Sequence, residues 1–130
     1  MWNRYHHPLG RLSLLDGASD ATVQRLASLM TSTQVRAGEV LVRQGAHNHQ
    51  FLLIEDGNVT VERDGVQIAR LGRGEFVGEI SLLGDGIATA TVTAKTDLVL
   101  YVSSEQEFHG LLHSAVGDAI THTAAERAAV

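Results

Sequence analysis

Residues 51–71 read FLLIEDGNVTVERDGVQIARL, three short aliphatic and β-branched runs cut at Asp56-Gly57-Asn58 and at Asp64-Gly65. Asp-Gly between two such runs is a strong hairpin signal, because glycine accepts the positive φ that a two-residue turn requires. The spacing predicts strands over 51–55, 59–63 and 66–71. Working outward, further short β-rich runs occupy 33–35 and 40–43 upstream, and 89–94 and 98–102 downstream. Seven or eight short strands with a turn signal every several residues predict a β-sandwich or a β-barrel-like roll.

The flanks change period. Up to about Met30 the pattern is helical: Ser19 is a plausible N-cap, and Val23, Leu26, Leu29 and Met30 fall on one face. Residues 11–15 could add a short turn ended by Asp16-Gly17. After the strands, Ser104 and Glu107 fit a capping box, in which each side chain bonds the other residue's backbone N–H. Phe108, Leu111 and Leu112 then form a short apolar face. From Ala115 a second segment carries Val116, Ile120 and Ala124 on one side and ends in AAERAAV, good helix formers but barely apolar.

Composition narrows the function classes. The 130 residues suit one compact domain, and 44% hydrophobic with 19% charged residues is an ordinary globular balance. No apolar run is long enough to span a bilayer, and the N-terminus lacks the apolar region of a secretory signal. There is no cysteine, so disulfide and thiolate chemistry are excluded. A cytoplasmic protein is expected. The formal net charge is −5, and Arg36, Arg43, Arg63, Arg70 and Arg73 are dispersed. Direct nucleic-acid binding is not expected of such a chain, since that affinity draws on clustered cations that neutralise phosphates.

Within the strand-rich zone, EFVGEISLLGDGIATATVTA (residues 75–94) is the anomaly. A Gly-Glu pair opens an apolar stretch in which Ile80, Leu82 and Leu83 suggest one helical turn. Gly84-Asp85-Gly86 breaks it, and a small, Thr-rich segment follows. Glu79 sits in this buried-looking turn with no basic residue between Glu75 and Ala94 to answer it.

At this point the chain resembles the cyclic nucleotide-binding domain family, the family of the bacterial catabolite activator protein and of the regulatory subunits of cyclic-AMP-dependent kinase. The resemblance runs from about Leu12 to Arg127. It rests on AGEVLVRQG (37–45), FLLIEDGNVTV, DGVQIARLGRGEFVGEISLL and glycines at 38, 45, 57, 65, 72, 74 and 78. It implies a mainly β fold: an eight-stranded antiparallel, jelly-roll-like β-roll with an N-terminal helix and C-terminal helices. As one domain over 1–130, it would divide into a helical segment (1–30), the roll (31–103) with a phosphate-binding cassette at 76–92, and C-terminal helices (104–130).

The resemblance also implies a ligand site. A cyclic phosphate is an anion that calls for backbone N–H groups and a guanidinium, and a ribose hydroxyl calls for a carboxylate acceptor. Gly78 and Glu79 match the cassette's opening pair. Glu79 would accept the ribose hydroxyl, and the amides near Glu79, Ile80 and Ser81 would face the phosphate. The family then places an arginine where this chain has Ala88, within Ile87-Ala88-Thr89; Thr89 and Ala90 complete the expected ligand-binding set. Two charge-assisted hydrogen bonds of roughly 1.5–3 kcal/mol each are thereby missing, on the order of a hundred- to ten-thousandfold in affinity. Arg73 and Lys95 are the nearest cations in sequence and read as surface charges.

The expected protein is therefore a small regulatory or sensory module, not an enzyme, with no cofactor. Its ligand would be cyclic AMP, cyclic GMP or a related small molecule, bound weakly or atypically. An effector protein is the expected partner, no membrane is, and homodimerisation is left open because the last helix is short. The sequence ends near Val130, so the helix-turn-helix that follows this domain in transcription factors of the family is not expected within it. The alternative is a ligand-independent interaction module with a degenerate pocket. A distant third is a cupin-type metal enzyme, suggested by His47-Asn48-His49. Against it, Glu55 comes too late after the pair, and no further histidine precedes His109. Residues 46–50 read instead as an exposed loop, and His109 and His113 as the polar face of a helix.

Overall fold

The computed structural model describes residues 20–114 and 117–128. The expected Ser19 cap, the turn at 11–15 and Ala115-Val116 lie outside the described residues. In chain order the elements are α1 (Asp20–Ala27), β1 (Thr31–Val35), β2 (Val40–Val42), β3 (Gln50–Asp56), β4 (Val59–Arg63), β5 (Val66–Leu71) and β6 (Phe76–Val77). There follow α2 (Glu79–Leu83), β7 (Thr91–Ala94), β8 (Leu98–Ser104), α3 (Glu105–Leu112) and α4 (Gly117–Ala128). The strands form two four-stranded sheets, ordered β1-β8-β3-β6 and β2-β7-β4-β5, and every pairing is antiparallel. This is the expected eight-stranded roll with flanking helices.

The continuous apolar run Phe51–Ile54 shows how the layers stack. All four residues are buried, because β3 is covered on both faces and alternate side chains point opposite ways. Leu52 and Ile54 meet Val59, Val61, Val92 and Leu100 between the two sheets. Phe51 and Leu53 face outward, where Leu26, Leu82, Phe108, Leu111 and Ile120 bring all four helices onto the same sheet. Phe51 lies 5.3 Å from Phe76 and 5.2 Å from Phe108, ring centre to ring centre. One sheet therefore serves as the wall between two cores.

Several boundaries differ from the sequence reading. The eighth strand is β6, two residues long, too short for an alternation to be seen. Strand β7 begins at Thr91 and not at 89, because 88–90 follow an irregular path behind an isolated bridge between His47 and Ile87. The capping box forms as expected: Glu107 N–H donates to Ser104 Oγ at 3.1 Å, and Ser104 N–H donates to Glu107 Oε1 at 2.9 Å. Among the described residues, no helix is long and apolar enough to cross a membrane.

Candidate functional site

The site is a cavity of about 220 Å³ between the inner face of the second sheet, α2 and the 88–90 segment. Gly78, Glu79, Ile80, Ser81, Ala88, Thr89 and Ala90, the seven residues singled out from sequence, all line it.

The turn into α2 depends on glycine. Gly78 has φ 101°, and a Cβ there would lie 2.4 Å from the Gln50 carbonyl oxygen. With both the left-handed backbone and the strand behind it closed to larger residues, Gly78 directs Glu79 inward. The next turn is held by Asn48. Its Nδ2 donates to Ser81 Oγ at 2.8 Å and to Gln50 O at 2.9 Å, and Ser81 Oγ in turn donates to Gly78 O at 3.1 Å. The Ser81 hydroxyl is thus engaged in fastening α2 to the β2–β3 connection.

On the opposite wall, Ala88 is equally fixed. Its N–H donates to Ala46 O at 2.9 Å and its carbonyl accepts from Gly45 N–H at 2.8 Å. Asp85 Oδ1 accepts from Ile87 N–H at 2.9 Å, which shapes the Gly-Asp-Gly break.

Glu79 is 1% exposed, so its charge needs an answer. The answer comes from α4: Arg127 Nη1 donates to Glu79 Oε1 in a close ion pair and to Phe76 O at 2.7 Å. The guanidinium also lies 5.2 Å from the centre of the Phe76 ring, within cation–π range. Burial nevertheless pushes the Glu79 carboxyl above its ordinary range, opposed by the charge of Arg127 and by the hydrogen bond from it. The second oxygen, Oε2, is buried with no hydrogen-bond partner.

The sequence reading found no base to answer Glu79; the base lies 48 residues further on. Gly117, Ile120, Ala124 and Arg127 are spaced 3, 4 and 3 apart, so Arg127 follows the buried face of α4 and not its solvent face. A second cation was also missed. Arg63 lines the cavity, and its Nε–H donates to Thr89 O at 3.2 Å. It follows the buried Val59 and Val61 on the period-two face of β4, the signal that could have found it. Arg73 and Lys95 are exposed and do not line the cavity.

The loop 46–50 is only partly the exposed connection expected. His47 and His49 are exposed, with rings stacked 5.8 Å apart, but Asn48 between them is 8% exposed and lines the cavity. Among the described residues, no three His, Cys, Asp or Glu side chains converge as metal ligands would. His109 and His113 are both exposed on or beside α3.

Known proteins are similar in sequence and in fold. The family model described as "Cyclic nucleotide-binding domain" matches residues 32–115. The chain is 32% identical over 113 residues to the cAMP-dependent protein kinase regulatory subunit of Schizosaccharomyces pombe, covering 86% of this chain and 27% of that protein. It therefore spans about a quarter of that relative's length. The structure of a cAMP-binding acyltransferase from Mycobacterium smegmatis is 33% identical, with a TM-score of 0.73 over 93% of this chain and 39% of the other. The regulatory subunit of a cAMP-independent protein kinase A from Trypanosoma brucei is 26% identical, with a TM-score of 0.76 over 92% of this chain and 45% of the other. That structure is a triple mutant bound to cAMP in its A site, and one of its three changes introduces an arginine. By fold and by sequence, the chain belongs to the cyclic nucleotide-binding domain family.

Proposed function

We propose that this chain is a regulatory binding module that takes up cyclic AMP or cyclic GMP weakly or atypically, with no catalytic step of its own. The observation that carries the reading is Glu79: a buried carboxylate on the cavity wall whose Oε2 lacks a partner. An acceptor held out of water without a donor is costly, and a ribose hydroxyl supplies the donor it lacks. The ribose side of the site therefore fits the ligand. The phosphate side does not fit the usual pattern, because Ala88 stands where the family places an arginine.

The geometry suggests how occupancy would be reported. Oε1 is held by Arg127 of α4, while Oε2 is left for the ligand, so one carboxylate connects nucleotide and helix. A ligand that binds better when Arg127 is docked shifts the population of α4 positions by that difference in affinity. Residues 76–92 would act as the cassette, and 1–130 as one unit that signals to an effector protein, with homodimerisation through α4 as a further arrangement.

Calorimetric titration of cyclic AMP and cyclic GMP into wild type and Ala88→Arg tests the reading. Saturable binding by wild type is expected, with Ala88→Arg tighter by about tenfold or more, the value of a charge-assisted hydrogen bond to phosphate. Absence of heat at millimolar nucleotide for wild type would reject it. The second reading, a ligand-independent interaction module, is favoured by one observation: Arg127 already answers Glu79, so the turn has a partner within the fold. It predicts no nucleotide binding by wild type and an unchanged α4 in the presence of nucleotide.

A further inference from the structure

Among the described residues, three ionisable side chains line the cavity: Glu79, Arg127 and Arg63. Arg127 and Glu79 answer each other, so the surplus positive charge of the cavity wall sits on Arg63. Among the described residues, no carboxylate pairs with Arg63. Its sequence neighbour Asp64 is engaged elsewhere: Asp64 Oδ1 accepts from Gln44 Nε2 at 2.8 Å, and Asp64 N–H donates to Gln44 Oε1 at 2.9 Å. Gln44 N–H also donates to Thr91 Oγ1 at 3.0 Å. One glutamine thus ties the β4–β5 turn to the start of β7 and fixes the strand end that carries Arg63. The side chain is fixed a second time by its own Nε–H, which donates to the carbonyl of Thr89, the residue after Ala88. Among the described residues, no hydrogen bond engages the Nη groups, and these are the pair that meets an anion's two oxygens side by side.

We infer that Arg63 is the phosphate-binding cation of this cavity, delivered from strand β4 to the ground that an arginine at position 88 would occupy. The positive charge comes from β4, the neighbour of β7 in the same sheet, and is held beside the 88–90 segment by the Thr89 carbonyl. This assignment rests on the cyclic nucleotide reading of the site and adds a residue that the family pattern does not contain. Because the guanidinium reaches in from a strand end and is anchored through Nε, it should serve the phosphate less well than a cassette arginine. Binding would then be weakened relative to the family without being abolished.

The test uses two probes that differ in the phosphate: cyclic AMP and adenosine, each titrated calorimetrically into wild type, Arg63→Gln, Arg63→Lys and the double variant Arg63→Gln/Ala88→Arg. Arg63→Gln is expected to weaken cyclic AMP by about ten- to a hundredfold, as loss of a charged hydrogen bond should, and to leave adenosine binding unchanged. Arg63→Lys should fall between, keeping the charge without the planar anchor, and the double variant should recover cyclic AMP binding, which also shows that the glutamine variant folds. Equal losses for the two probes would mean that Arg63 only supports the wall, and no loss for either would mean that it is idle; both overturn the assignment while the site reading stands. Wild type that binds adenosine but not cyclic AMP overturns it too. Wild type that binds neither probe overturns the reading of the site, and the assignment falls with it.

Discussion

Glu79 is pulled in two directions, by burial towards its neutral form and by Arg127 towards its charged form, with burial the larger effect. A carboxyl raised in the folded state keeps its proton where the unfolded chain has released it. Its contribution to stability is therefore complete below the ordinary value of about 4.3 and is lost as pH rises through the folded value. Relative to Glu79→Gln, wild type is expected to lose unfolding free energy across that window, followed by urea denaturation at successive pH values. A difference between the two that stays flat with pH would show that burial does not dominate. Removing the cation instead leaves a buried carboxylate unanswered. Arg127→Ala should cost about 3 kcal/mol at neutral pH, the lower end for breaking a buried pair because the guanidinium side chain is 27% exposed. Gly78→Ala, which must accommodate both a left-handed backbone and a 2.4 Å approach to Gln50 O, should lower stability by about 2 kcal/mol or more in the same assay.

At the scale of elements, β8 provides a simpler test. Ser103 is fully buried opposite Phe51, and its hydroxyl has no hydrogen-bond partner. Ser103→Ala is expected to be neutral or to raise the unfolding free energy measured by urea denaturation, by up to about 1 kcal/mol, since it removes an unmatched polar group without opening much space. Most elements were legible because each shows its period within a few residues: the Asp-Gly turns bracket β4 and β5, and Ser104 with Glu107 marks the start of α3. Strand β6 was not, since two residues show no alternation, and Phe76 and Val77 are held by pairing with Leu53 and Leu52 of β3. The turn that opens α2 was legible because Gly78-Glu79 is local in sequence. The cations were not, because Arg63 and Arg127 reach the cavity from β4 and α4. Each lies on the buried face of its own element, but which cavity that face adjoins is decided by how sheets and helices stack. Asn48 escaped for a related reason: an asparagine between two exposed histidines looks like loop, and only the closeness of Ser81 gives it work.

For the molecule as a whole, the sheet containing β3 and β8 separates a core that touches the cavity from a core that touches the helices. The connection around this wall is short: α2 begins on the cavity, places Leu82 in the helix-side core, and packs on α4. Saturating nucleotide is expected to slow hydrogen exchange of α4 amides in wild type. In Arg127→Ala the same nucleotide should still bind, through Glu79 Oε2, but leave α4 exchange unchanged. Loss of binding and loss of protection together would mean that Arg127 belongs to the ligand site and not to the relay.

The Gln44 clamp bears on how this domain could be rebuilt as a sensor. The Asp64-Gly65 tip is open to solvent, with nothing within 4 Å of a Cβ placed at Gly65, and it looks like a natural point for splicing in a fluorescent reporter. Yet Asp64, the residue after Arg63, is tied by two hydrogen bonds to Gln44. A graft there would tug on the cavity from its most convenient handle.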